Sequence, residues 1–253
     1  MTTSPRFAGK RALVTGATRG LGRTIAEWLA REGAGVFISG RNQEDIDRAL
    51  GELEQHGSMM SGAPADLADV AQVRQLAATA LATGPFDILV NNAGFSIPQP
   101  FLNVTDGDWE AEMNVNARAP FVLGQLIGAA MIEAGIKGRI VNISTVGAYA
   151  AHPRQMVYDM AKAAIIAMTR NMAFELGPHG ITVNCVAPGA VPDRPGFDMA
   201  NYEATNFGNP LNLIGTADDI ANAVCFFCDD ASKWVTGQTL LVDGGLIGHI
   251  REN

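Results

Sequence analysis

Short apolar runs closed by turn residues alternate along the chain with longer stretches whose apolar side chains recur every three or four positions. The first pattern suits strands buried on both faces, the second helices packed along one side. The runs predict strands at Arg11–Thr15, Gly35–Ser39, Met59–Ala63, Ile88–Asn91, Gly138–Ile143, Thr182–Ala187 and Thr239–Val242. The amphipathic stretches predict helices at Gly20–Glu32, Gln43–Gln55, Ala68–Ala82, Asp106–Ala134, Gln155–Leu176 and Ala217–Asp229. Thr105 and Thr216 stand where two of these helices need an N-cap. Repeated strand–helix alternation predicts an α/β fold, a doubly wound parallel sheet of seven strands with helices on both faces. The rhythm breaks over Asp193–Asn212, where Pro, Gly, Asn and aromatic residues follow no period. That segment lies beyond the sixth strand, at the sheet edge where open α/β folds bind ligands, so a substrate lid is expected near residues 190–212.

Composition narrows the partners. The 253 residues suffice for one domain, and no linker, repeat or low-complexity stretch marks a second. A formal charge of −8 suits neither nucleic acid nor an anionic membrane surface. No uninterrupted apolar run approaches the length of a membrane span. Met1–Arg6 has no apolar signal core behind it, so a cytoplasmic location is expected. Cys225 and Cys228 form a C-x-x-C pattern, but in an apolar helical context without a second pair, so no metal site is expected.

Two motifs bring in chemistry. Thr15-Gly16-Ala17-Thr18-Arg19-Gly20-Leu21-Gly22 follows the first strand directly and opens a helix. Gly16 permits the tight turn, Gly20 lets backbone approach a pyrophosphate, and Gly22 allows close helix–strand packing. The phosphate would sit at the helix N-terminus, against free N–H groups. An NAD site wants a carboxylate at the end of the second strand for the ribose 2′-OH. Here that strand ends in Gly40, followed by Arg41 and Asn42. With the acid missing and Arg41 and Arg19 able to pair with a 2′-phosphate, NADP(H) is expected over NAD(H). Installing Asp at Gly40 in an Arg41→Ala background is expected to move preference toward NADH, by restoring the 2′-OH partner and repelling phosphate.

The second motif is Tyr158-Asp159-Met160-Ala161-Lys162. On a helix, positions four apart share a face, so the phenol and the ammonium can serve one site. A nearby cation stabilises the phenolate and turns tyrosine into a usable acid and base near neutral pH.

With these two motifs, Asn91-Asn92-Ala93-Gly94, Asn116, Pro188-Gly189 and Val242-Asp243-Gly244-Gly245, the chain resembles the short-chain dehydrogenase/reductase family from about Lys10 to Gly245. The resemblance implies a Rossmann-type fold and an oxidoreductase acting on CH–OH or C=O groups. It implies that Asp66 and Leu67 contact the adenine and that Asn92, Ala93 and Gly94 line its ribose. It further implies that Lys162 holds the nicotinamide ribose, while Pro188, Gly189 and Val191 lie against the nicotinamide.

It also implies catalysis by Asn116, Thr145, Tyr158 and Lys162. The family places a serine where this chain has Thr145. Threonine keeps the hydroxyl and adds a methyl that narrows the pocket. Ser144, the competing hydroxyl, would face the other side of an extended strand. Asn114 competes with Asn116, which fits the register better. Where the family usually has a threonine, this chain has Asp193.

Phe95, Ile97, Pro98, Val146, Phe197 and Tyr202 are expected to line an apolar pocket. The expected function is an NADP-dependent reductase or dehydrogenase of a small-molecule ketone or secondary alcohol. A 3-oxoacyl-thioester reductase is the alternative, disfavoured because only Lys137 is basic in the segment that would dock an acidic carrier protein. A dinucleotide-sensing protein without turnover is the third. A homotetramer is implied, with a dimer as the smaller alternative.

Overall fold

The structure, a computed structural model, describes residues 5–56, 59–192 and 209–248. Seven strands are present: β1 (Arg11–Val14), β2 (Gly35–Gly40), β3 (Met60–Pro64), β4 (Ile88–Asn91), β5 (Arg139–Ile143), β6 (Thr182–Pro188) and β7 (Thr239–Val242). They form one parallel sheet in the order β3-β2-β1-β4-β5-β6-β7. The order reverses between β1 and β4, which opens a crevice at the C-terminal strand ends. Register across the centre pairs Val14 with Val90, Asn91 with Asn142 and Asn142 with Cys185.

Residues alternate between the two faces. Ala12 and Val14 pack on one side with Ile25, Leu29 and Val224, while Leu13 packs on the other with Leu76, Leu123 and Ile127. The first layer is covered by α1 (Gly20–Arg31) and α2 (Gln43–Leu53), together with the last helix, Ala217–Cys228. The second is covered by α3 (Val70–Leu81), by α4 (Asp106–Met113) and α5 (Ala119–Glu133), and by α6 (Met156–Leu176). The last helix is α7. Leu13, Leu29, Ile127 and Val224 have no exposed surface at all. Burying each such side chain stabilises the fold by roughly 1.5–3 kcal/mol.

Thr105 and Thr216 both close capping boxes, with Asp108 and Asp219 respectively. The single helix expected over 106–134 is instead α4 and α5 joined by a π turn at Asn114–Arg118. The apolar period runs on through this turn, so the pattern gives no sign of the extra residue. The run Asp106–Glu133 is also long and apolar enough to cross a bilayer, but half of its most apolar window is buried in the protein, as in a core helix. Cys225 and Cys228 are free thiols inside α7, and burial pushes Cys225 up to about 12.

Candidate active site

The turns after β1, β4, β5 and β6 meet at the C-terminal edge of the sheet. Gly16 and Gly20 adopt left-handed backbone at φ 64° and 56°. A Cβ on Gly16 would lie 2.9 Å from Ala93 Cα, and one on Gly22 would run into Asn92 Nδ2 and the Gly16 carbonyl. The glycine turn is laced to the end of β4. Thr15 Oγ1 accepts the N–H groups of Asn92 and Ala93 at 3.0 and 3.1 Å. Asn92 Nδ2 donates to the carbonyls of Thr15 and Gly16 at 2.9 and 3.2 Å. Thr15 therefore has a structural part that the glycine pattern did not reveal. The N-cap of α1 is Arg19, with extended backbone and no side-chain cap. A crowded backbone cradle and an uncapped helix end fit a dinucleotide diphosphate.

At the other end of this cradle, Arg19, Arg41, Asn42 and Asp66 are exposed. Asp45 at the start of α2 is held low by its bond from Arg48, then by Asn42, with a smaller effect of Arg19. Asp66 Oδ1 accepts the Ala68 N–H at 3.0 Å, and Leu67 is buried in the second layer. A Cβ on Gly40 would run into Thr18 Cγ2. An Asp at position 40 therefore also requires the Thr18 side chain to move or be made smaller.

The catalytic candidates are differently placed. Lys162 is only 2% exposed, and its ammonium donates to the Ile143 carbonyl at 2.9 Å. Burial pulls it down to about 8, opposed by Cys185. Its Nζ lies 5.8 Å from the centre of the half-buried Tyr158 ring. Asn116, fully buried in the π turn, clamps Phe95: Oδ1 accepts its N–H at 3.1 Å and Nδ2 donates to its carbonyl at 2.8 Å. A Cβ on Gly94 would sit 2.8 Å from Asn116 Oδ1 and 3.0 Å from Lys162 Nζ, so both side chains flank the end of the β4 turn. Asn114 is half-buried, and its side chain makes no hydrogen bond among the described residues.

Thr145 and Ser144 point to different structures. Thr145 Oγ1 accepts the Gly147 N–H at 3.3 Å, which leaves its own proton for donation. Ser144 Oγ donates to the Lys162 carbonyl at 2.7 Å and so ties β5 to α6. That tether was not legible beforehand, since a serine beside another hydroxyl carries no signal of a distant partner.

After β6, the Gly189 N–H donates to Val242 at 2.9 Å, and a Cβ there would lie 2.8 Å from Asp243 Cα. Asp243 in turn accepts the N–H groups of Gly245 and Ile247, both at 2.9 Å. Val191 packs on the first core layer. Asp193, Phe197 and Tyr202 lie outside the described residues, as does most of the expected lid. Its far end is described: Asn209 faces the Gly244 backbone, where a Cβ would come within 2.7 Å of Asn209 Oδ1.

The proteins that this chain resembles include named dehydrogenases and reductases. A family model described as enoyl-(acyl carrier protein) reductase matches residues 16–247. Gluconate 5-dehydrogenase of Gluconobacter oxydans (strain 621H) is 38% identical over 245 residues, covering 95% of each chain. L-xylulose reductase of Mus musculus is 36% identical, covering 95% of this chain and 98% of its own. Among solved structures, a gluconate 5-dehydrogenase from Burkholderia cenocepacia J2315 in complex with NADP and tartrate superimposes with a TM-score of 0.89. It is 34% identical and covers 97% of this chain and 99% of its own.

Proposed function

The chain belongs to the short-chain dehydrogenase/reductase family and is an NAD(P)-dependent oxidoreductase of alcohols and ketones; we propose that it is NADP(H)-linked and acts on a free small-molecule ketone or secondary alcohol. The observation that supports this reading is Lys162, 5.8 Å from the centre of the Tyr158 ring and beside Gly94 together with Asn116, next to a glycine cradle that ends in two exposed arginines.

In reduction, bound NADPH supplies the hydride. Tyr158 gives its phenolic proton to the substrate oxygen, and in the reverse direction the phenolate takes it back. Lys162, still largely protonated below about pH 8, stabilises that phenolate. Lowering a phenol by about 3 pKa units requires roughly 4 kcal/mol of such stabilisation. Thr145 donates a hydrogen bond to the same oxygen and supports charge developing there. Asn116 holds the Phe95 backbone beside Lys162. Arg41 and Arg19 pair with the 2′-phosphate of the cofactor. Substrates of named relatives, gluconate and xylulose, are small hydroxylated compounds and agree in size and class with this reading.

The test is NADPH consumption over a panel of hydroxyketones, diketones and simple ketones, with acyl-CoA and carrier-bound thioesters alongside. Turnover on free ketones with little on thioesters supports the reading; the reverse overturns it. We also infer a homotetramer. Phe121 on α5 and Phe174 on α6 are 53% and 83% exposed. A groove of about 660 Å³ between α7 and β7 is lined by Asn222, Phe226 and Leu240. Two such faces suit two twofold contacts. Light scattering on the eluting protein would show four copies; a monomer would refute it.

A further inference from the structure

Asp159 follows Tyr158 on α6, and its side chain is only 13% exposed. Both carboxylate oxygens are committed to one residue of the β5–α6 loop. Oδ2 accepts the backbone N–H of His152 at 3.0 Å, and Oδ1 lies 2.9 Å from His152 Nδ1. This pair sits under the turn that begins at Thr145. A Cβ on Gly147 would run into both Asp159 Oδ1 and His152 Nδ1, and the Gly147 N–H is the donor to Thr145 Oγ1. Contacts therefore run without a break from the Thr145 hydroxyl, through Gly147, to the residue beside Tyr158.

The same loop is held from its far side. Arg154 adopts φ 65°, a left-handed conformation that costs a non-glycine residue about 1–3 kcal/mol when sustained. Its carbonyl accepts the Gln99 N–H at 2.8 Å, which joins the loop to the one after β4. A loop kept in such a conformation needs firm anchors, and Asp159 supplies one through its two contacts with His152.

We propose that Asp159 is a positioning residue for the reaction. Through His152 it fixes the Thr145–Gly147 turn, and so sets the Thr145 hydroxyl and the Tyr158 phenol to reach one substrate oxygen together. The inference rests on the roles given above to Thr145 and Tyr158. A carboxylate meets the need because it accepts a main-chain and a side-chain N–H at once, which an apolar residue of the same shape does not.

The experiment compares Asp159→Ala, Asp159→Asn, Gly147→Ala and the Gly147→Ala/Asp159→Ala double variant of the full chain. Steady-state kinetics, NADPH titration and thermal unfolding are read on each. Misplacement of reacting groups by an ångström costs up to about 100-fold, so Asp159→Ala should lower kcat by about 10-fold to 100-fold. NADPH affinity should stay near wild type, and the melting temperature should fall only by the few degrees that two lost hydrogen bonds explain, while kcat falls by more. Asp159→Asn should recover part of the loss, because its single amide oxygen accepts one of the two His152 N–H groups. Gly147→Ala should lose about as much as Asp159→Ala, since its methyl needs the space of the carboxylate. Adding Gly147→Ala to Asp159→Ala should then cost little more. A crystal structure of Asp159→Ala should show the Thr145–Gly147 turn displaced. Wild-type kcat in Asp159→Ala, additive losses in the double variant, or a loss that tracks the melting temperature would each overturn the proposal. Full turnover in Tyr158→Phe would instead defeat the underlying reading, and the crystal structure would still report on Asp159.

Discussion

The two ends of the cleft are built in opposite ways. At the catalytic end, Lys162, Asn116, Thr145 and Ser144 are buried, and each is tied to a backbone group by a hydrogen bond of 2.7–3.3 Å. At the end proposed to take the adenosine, Arg19, Arg41 and Asn42 are exposed on the first turns after β1 and β2. Chemistry needs atoms held to within a fraction of an ångström, and burial against fixed carbonyls supplies that. Choice of cofactor needs only charge of the right sign within reach, which long exposed side chains supply at little structural cost. The difference implies that the ends respond separately to mutation.

Tyr158→Phe should break the catalytic end most completely. It removes only the phenolic proton, so nearly all turnover should vanish while fluorescence titration shows NADPH binding retained. Thr145→Val keeps the shape and loses the donor, and turnover should fall about 100-fold to 1,000-fold. Thr145→Ser should keep most activity and admit bulkier ketones. Equal turnover in wild type and Thr145→Val would remove that hydroxyl from the mechanism.

The adenosine end should yield less. A hydrogen bond to a charged group contributes about 1.5–3 kcal/mol, so Arg41→Ala should weaken NADPH by roughly 10-fold to 100-fold and leave NADH nearly unchanged. The loss should shrink at high salt, because the site is exposed to screening ions. Gly40→Asp alone should harm binding of both cofactors through its clash with Thr18; Gly40→Asp with Thr18→Gly should shift preference toward NADH. A wild-type enzyme that already prefers NADH would contradict the reading of β2.

Smaller effects sharpen the contrast. Ser144→Ala loses the tie to the Lys162 carbonyl and should cost about 1 kcal/mol of stability, with a modest fall in kcat. Lys162 binds its proton less readily folded, near pH 8, than unfolded, near 10.5. Between those values the unfolded chain holds more protons, so stability should rise with pH. That gain is complete above about 10.5 and is lost as pH falls through about 8. Denaturant unfolding of the apoprotein should show the rise in wild type and lose it in Lys162→Met between about pH 8 and 9, below the range where Cys185, Cys225 and Cys228, held protonated by burial, make stability fall with pH.

The strands, the glycine turn and the Tyr158–Lys162 pair were legible because each depends on a local pattern: a short apolar run, a spacing of four, or glycine where no Cβ fits. What escaped depends on contacts between distant segments. Thr18 fills the space beside Gly40 only once β1 and β2 pair. Asp159 meets His152 only because a loop folds back on α6. The π turn at Asn114–Arg118 left the apolar rhythm of its helix intact, though it is what places Asn116 beside Phe95. Thr15 hid inside a motif read for its glycines.

The separability of the two ends is tested most directly by measuring kcat and the dissociation constants of NADPH and NADH for Arg41→Ala, Thr145→Val and their combination. The account predicts that Arg41→Ala moves only the NADPH constant, that Thr145→Val moves only kcat, and that the double variant shows the two losses added. Either single variant changing kcat and cofactor affinity together, or strong non-additivity in the pair, would contradict it.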